Sequence, residues 1–162
     1  MFTQHTLETA PEGSRELMIS TGRPEAVGKL AESPEMLGGF LQSNHLFESS
    51  TLDPLSREVV VMTIATRNGC QVCIAMHTAR LRQLKADPEL ITQLKNQQPL
   101  SDDHLDAIRH FTIRALETTG EVDDEEIKTF LEAGYTRRNA LEVILGIGTY
   151  TMSTFANRLV RA

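Results

Sequence analysis

Residues 53–77 constrain this chain more than any other stretch, because they spell out two helices and the turn between them. Asp53-Pro54-Leu55-Ser56-Arg57-Glu58 has the chemistry of a helix start: a cap candidate, an early proline and an acid close to the first turn. The run that follows, Val59-Val60-Val61-Met62-Thr63-Ile64, is β-branched enough to suit a buried strand, but length and capping signals predict a helix over about 54–67. Asn68-Gly69 tolerates positive φ, which ends that helix tightly and lets a second one start at Cys70 and run to about Lys85.

The rest of the chain reads as helical too. Only 5% of the 162 residues are aromatic and none is Trp, so the core must come from Leu, Ile, Val, Met and Ala, which favours packed helices. Short helices are predicted at Glu25–Glu32 and Glu35–Phe47, behind Pro24 and Pro34. Others fall at Pro88–Asn96, at Ser101–Thr118 with Ser101 as cap, and at Asp123–Ala133, where Asp123 and Glu126 resemble a capping box before Gly134. Thr136 opens a long helix with Ala140, Ile144, Ile147, Thr151 and Phe155 on one face and Leu141, Leu145, Gly148, Met152 and Leu159 beside it. So wide an apolar stripe suits a central helix or a subunit interface. The expectation is an all-α protein of seven to eight helices: an N-terminal arm over 1–22 and a single helical domain over 23–162.

Charge and hydropathy exclude several classes of function. A formal net charge of −6 argues against nucleic acid, whose binding needs clustered Lys and Arg. The most apolar run, Val59–Ala65, falls far short of the roughly 20 residues that span a bilayer, so no membrane partner is expected. Met1-Phe2-Thr3-Gln4-His5 has neither the basic start nor the apolar stretch of a secretory signal, and a cytoplasmic location is the expectation. In a reducing compartment two cysteines this close in sequence are redox-active or metal-binding more often than structural.

The chemistry gathers around Asn68-Gly69-Cys70-Gln71-Val72-Cys73-Ile74-Ala75-Met76-His77. Residues three and four apart share a helix face, so Cys70, Cys73 and His77 point the same way. If the two helices pair antiparallel about Asn68-Gly69, Glu58 falls opposite position 79 or so, within one turn of His77. A thiolate is the nucleophile, and a thiol at a helix start or beside a base has a lowered pKa. His77 can take the proton, and Glu58 can fix its tautomer directly or through a water. Attack on a peroxide leaves a sulfenic acid, which the second thiol condenses to a disulfide, and an external dithiol resets the pair. Helix-dipole reasoning favours Cys70 as the attacking thiol, whereas proximity to His77 favours Cys73.

The pattern Glu-x11-Cys-x-x-Cys-x-x-x-His, preceded by Pro-Leu-Ser and with Asn-Gly before the first cysteine, resembles the AhpD-like alkylhydroperoxidases of the carboxymuconolactone decarboxylase superfamily. The specific match covers residues 53–80. A more diffuse one follows in Ala133-Gly134-Tyr135-Thr136 and Ala140-Leu141-Glu142-Val143-Ile144, ending near Asn157. The resemblance implies an all-α fold assembled as homotrimers or homohexamers. It also implies a peroxidatic Cys73, a resolving Cys70 and a Glu58–water–His77 proton relay. Hydroperoxide would be the substrate and an external dithiol, protein or lipoyl-type, the reductant, with no organic cofactor and no metal. Two departures stand out: Val72 sits where relatives carry polar or aromatic residues, including a second histidine, and Met76 where alanine is common.

Other readings stay open from the residues alone. Glu58, Cys70, Cys73 and His77 are all types that zinc accepts, although structural sites mostly use four cysteines, three with one histidine, or two of each. A zinc-binding or redox-sensing module is therefore an alternative to an enzyme, as is lactone chemistry of the decarboxylase kind. His5, His45, His104 and His110 read as surface or capping residues. Gly146 and Gly148 lack the strand and third glycine of a dinucleotide fingerprint and suit close helix packing.

Overall fold

Asp53 opens the helix around which the molecule is arranged. In the computed structural model, which describes all 162 residues, its carboxylate accepts the amides of Leu55 and Ser56 at 2.9 and 3.0 Å and the Ser56 hydroxyl at 2.5 Å. Burial pushes the Asp53 carboxyl up, but these hydrogen bonds outweigh it and hold the group below its ordinary value. The chain forms eight α-helices and two 3₁₀ turns: α1 Glu12–Ser20, the turns Pro24–Val27 and Leu30–Glu32, α2 Pro34–Glu48, α3 Pro54–Arg67, α4 Gln71–Gln83, α5 Pro88–Lys95, α6 Asp103–Glu117, α7 Asp124–Glu132 and α8 Arg137–Leu159.

The β-branched run belongs to a helix buried nearly all round, α3, in which Ser56 and every residue from Glu58 to Thr66 are buried. It packs against α4, α5, α6 and α8. Helices that are apolar on all sides occupy the centre of a fold, and Val59, Val60, Val61, Met62 and Ile64 are all fully buried within the main core. Gly69 ends the helix at φ +64°, with Gly69 N–H donating to the Thr66 carbonyl and Cys70 N–H to that of Ala65. The chain thus reverses in two residues, and α4 lies against α3.

Several expectations change on meeting the structure. Cys70 is the cap of α4 rather than its first helical residue. Segment 24–32 makes two 3₁₀ turns. Asp102, not Ser101, caps α6, because the Ser101 hydroxyl is bonded to Glu89 and Gln93 of α5. Asp123 caps α7 by accepting the Glu126 amide, but no capping box closes, since the Glu126 carboxylate accepts Arg114 Nε at 2.5 Å. Within the segment read as an arm, α1 packs on α2, and its Met18 joins Ala10, Leu30, Ala31, Leu37 and Val160 in a second cluster.

The largest correction concerns α8. Its predicted apolar stripe is divided: Ala140, Leu145 and Ile147 pack partly buried against the main core, while Leu141, Ile144, Phe155 and Leu159 are exposed. The side against the protein also carries Asn139, Glu142, Val143, Gly146, Thr149, Tyr150, Ser153 and Thr154. These polar groups are buried because each finds a partner. Glu142 accepts the amide and hydroxyl of Thr51 at 2.9 and 2.8 Å and the Asn139 carboxamide at 2.9 Å. Against the opposing effect of burial, these bonds and the nearby Arg138 hold its carboxyl below the ordinary value. No helix is long and apolar enough to cross a membrane.

Candidate functional site

Cys70 and Cys73 are joined by a disulfide, with their Cα atoms 5.3 Å apart. The pair sits at the start of α4, Cys70 as cap and Cys73 in the first turn, and packs on Ala65 of α3. No side chain caps this turn, so its free amides and the positive end of the helix dipole bear on the sulfurs, favouring thiolate once the bond is reduced. Both cysteines are buried, at 1% and 5% exposure.

One turn further along α4, His77 Nδ1 lies 2.8 Å from Glu58 Oε2 on α3. The expected Glu58 and His77 are thus brought together by the helical hairpin, in direct contact rather than through a water. A carboxylate only accepts, so the shared proton sits on Nδ1, and the neutral imidazole keeps its lone pair on Nε2. Glu58 is buried, with a side chain 4% exposed, while that of His77 reaches 16%. A buried carboxylate under a partly open imidazole fixes the orientation of the ring.

Tyr150 of α8 forms the wall behind His77, the rings meeting edge on with centroids 5.4 Å apart. Burial, reinforced by Glu48 and Glu58, pushes its phenol far above the usual range. The hydroxyl stays protonated and donates to Asn44 Oδ1 at 2.8 Å. The last turns of α8 complete the surroundings. Thr154 Oγ1 accepts the Asn68 carboxamide at 2.8 Å, Arg158 Nη1 donates to the Asn68 carbonyl, and Asn157 Nδ2 donates to Cys73 Sγ at 3.5 Å. Sequence reasoning passed over Tyr150 and Asn157 because they lie more than seventy residues beyond the motif, and no local spacing connects them to it.

The zinc alternative finds no support in this geometry. The two thiols are bonded to each other and the Glu58 carboxylate to His77, and no three His, Cys, Asp or Glu side chains are grouped as metal ligands would be. His104, read as a surface or capping residue, bonds the Ala133 carbonyl at 2.7 Å and stacks on Tyr135 away from the dithiol.

An all-helical domain with a CxxC disulfide over a Glu–His pair defines a class of thiol-bearing helical proteins. Residues 34–97 match the model of the carboxymuconolactone decarboxylase family. The fold is similar to that of an uncharacterized peroxidase-related protein with an alkylhydroperoxidase AhpD core from Ralstonia eutropha JMP134, at TM-score 0.83 and 18% identity over 98% of this chain and 88% of that one. An uncharacterized peroxidase-related protein from Silicibacter sp. TM1040 matches at TM-score 0.78 and 18% identity, over 99% and 87% of the two chains. A protein of unknown function from Agrobacterium tumefaciens, described as a candidate AhpD antioxidant defence protein, matches at 0.68 and 18%, over 81% and 91%. No curated protein matches the chain. The carboxymuconolactone decarboxylase family model thus matches the stretch that holds the dithiol hairpin, and the fold of the chain as a whole is similar to that of AhpD-core proteins.

Proposed function

We propose that this protein is a thiol peroxidase that reduces organic hydroperoxides through a Cys70–Cys73 dithiol–disulfide cycle. The observation that carries the reading is the placing of two bonded cysteines at a helix start one turn before a partly open His77 paired with the buried Glu58. That arrangement supplies a nucleophile, a resolving thiol and a base from a single hairpin. In the reduced protein His77 takes the proton of the Cys73 thiol. The thiolate attacks the terminal oxygen of the hydroperoxide, the O–O bond breaks, and the leaving alkoxide takes the proton back from His77 and departs as an alcohol. Cys73 is then a sulfenic acid. The Cys70 sulfur attacks it, forming the disulfide and releasing water. An external dithiol, on a protein or of lipoyl type, reduces the disulfide and is itself oxidised. The same reading includes a homo-oligomer, in which a second copy covers the exposed Leu141, Ile144, Phe155 and Leu159.

Steady-state consumption of tert-butyl hydroperoxide, with dihydrolipoamide as reductant, tests the cycle. One dithiol is expected to be oxidised per hydroperoxide lost. His77→Gln should slow the reaction by about 10²–10⁴-fold, the usual contribution of a positioned proton carrier. Consumption no faster than with dihydrolipoamide alone, or undiminished activity in His77→Gln, would contradict the proposal.

A further inference from the structure

The two sulfurs are not equivalent in their surroundings, and the difference comes from α8. Of the pair, only Cys73 Sγ receives a side-chain N–H, from Asn157 Nδ2 at 3.5 Å, within the reach of a sulfur acceptor. Asn157 is held on both sides of its turn. Its Nδ2 also lies 3.5 Å from Ser153 Oγ, and neighbouring Thr154 and Arg158 are tied to Asn68 in the turn that precedes Cys70. The donor is therefore held on α8 by contacts that do not pass through the disulfide.

We propose that Asn157 is a catalytic residue whose carboxamide N–H stabilises the Cys73 thiolate and so makes Cys73, rather than Cys70, the attacking sulfur. The inference deepens the peroxidase reading and rests on it for the word catalytic; the hydrogen bond itself needs no peroxide. A donor aimed at a buried thiolate favours the charged form, since the site offers little water to replace it. The charged or titratable groups around Cys73 are His77 on its own helix, Glu58 on α3 and Arg158 on α8, the last engaged with the Asn68 carbonyl. The dipole of α4 acts on both cysteines and, being felt most at the helix start, does not favour Cys73 over the capping Cys70. Asn157 does.

The chain has two cysteines, so Cys70→Ser leaves Cys73 as its sole thiol and Cys73→Ser leaves Cys70. The pH dependence of iodoacetamide alkylation then gives the thiol pKa of each. Asn157→Ala in the Cys70→Ser background is expected to raise the Cys73 midpoint by about one unit, leaving roughly tenfold less thiolate at a pH below it. Asn157→Asp should raise it further, by placing a carboxylate beside the sulfur. In the Cys73→Ser background the same changes should leave the Cys70 midpoint in place. Asn157→Leu preserves volume while removing the donor, which covers the case that alanine loosens the end of α8. A Cys73 midpoint unmoved in a folded Asn157→Leu protein overturns the inference, as does an equal shift at Cys70. The titration uses no hydroperoxide. Its failure is thus distinct from that of the peroxidase reading, which would appear as a wild-type protein inert to hydroperoxide with the Cys73 shift intact.

Discussion

Cys73→Ser is expected to abolish hydroperoxide consumption outright, while Cys70→Ser reacts once per molecule and then stops. Serine at position 73 removes the sulfur that sits four residues before His77 and receives the Asn157 N–H. What remains is Cys70, at the cap of α4 and without a side-chain donor. Serine at position 70 leaves the attacking thiolate and its base intact, so the O–O bond still breaks and Cys73 becomes a sulfenic acid. With no second thiol there is no disulfide, and the sulfenic acid stays available to a dimedone probe until excess peroxide carries it further up the oxidation ladder. Mass spectrometry after one equivalent of hydroperoxide separates the two variants: dimedone adduct at Cys73 in Cys70→Ser, unmodified Cys70 in Cys73→Ser. Dimedone labelling of Cys70 in the Cys73→Ser protein, with none of Cys73 in the Cys70→Ser protein, would reverse the roles of the two cysteines.

The second large effect is on stability, at a glycine of α8. A Cβ at Gly146 would lie 2.6 Å from Cε2 and 2.9 Å from Cζ of Phe47. Phe47 is wholly buried and packs edge on against Tyr150 at 5.7 Å, the ring that also backs His77. It has nowhere to retreat. Gly146→Val, with three added carbons, is expected to lose about 3 kcal/mol, the upper end of ordinary overpacking costs. That corresponds to a fall in Tm of roughly 6–12 °C for a domain of this size. Two residues along the same helix the sign reverses. A Cβ at Gly148 meets nothing within 4 Å, so Gly148→Ala should gain about 0.5–1 kcal/mol by limiting the unfolded chain and improving helix propensity. Urea denaturation of both variants checks the pair; equal stability of the Gly146→Val and wild-type proteins would contradict the packing described.

The contrast between these two glycines marks where the sequence was legible and where it was not. Local signals carried well. Asp53-Pro54 and Asn68-Gly69 bracket α3 where expected, because capping and positive φ are decided by a few neighbouring atoms. From that hairpin alone followed the meeting of Glu58 with His77, nineteen residues apart and in contact at 2.8 Å. On α8 periodicity found only part of the buried side, for a physical reason. Its inward side is a chain of satisfied polar groups, Asn139, Glu142, Thr149, Ser153 and Thr154, while Leu141, Ile144 and Phe155 face outward. A rule that equates burial with apolar character finds the core contacts of Ala140, Leu145 and Ile147 but misses the buried polar residues beside them. Asn157 and Tyr150 were invisible for the same reason: a contact between α8 and the dithiol depends on how α8 docks along α3.

One equivalent of an organic hydroperoxide added to the fully reduced wild-type protein, followed by a thiol alkylator and mass analysis, tests the dithiol cycle most directly. Loss of both alkylation sites to a Cys70–Cys73 disulfide, with one alcohol formed per chain, is the expected result. If both thiols remain alkylatable after the hydroperoxide has had time to react, the dithiol is not a peroxide-reducing centre.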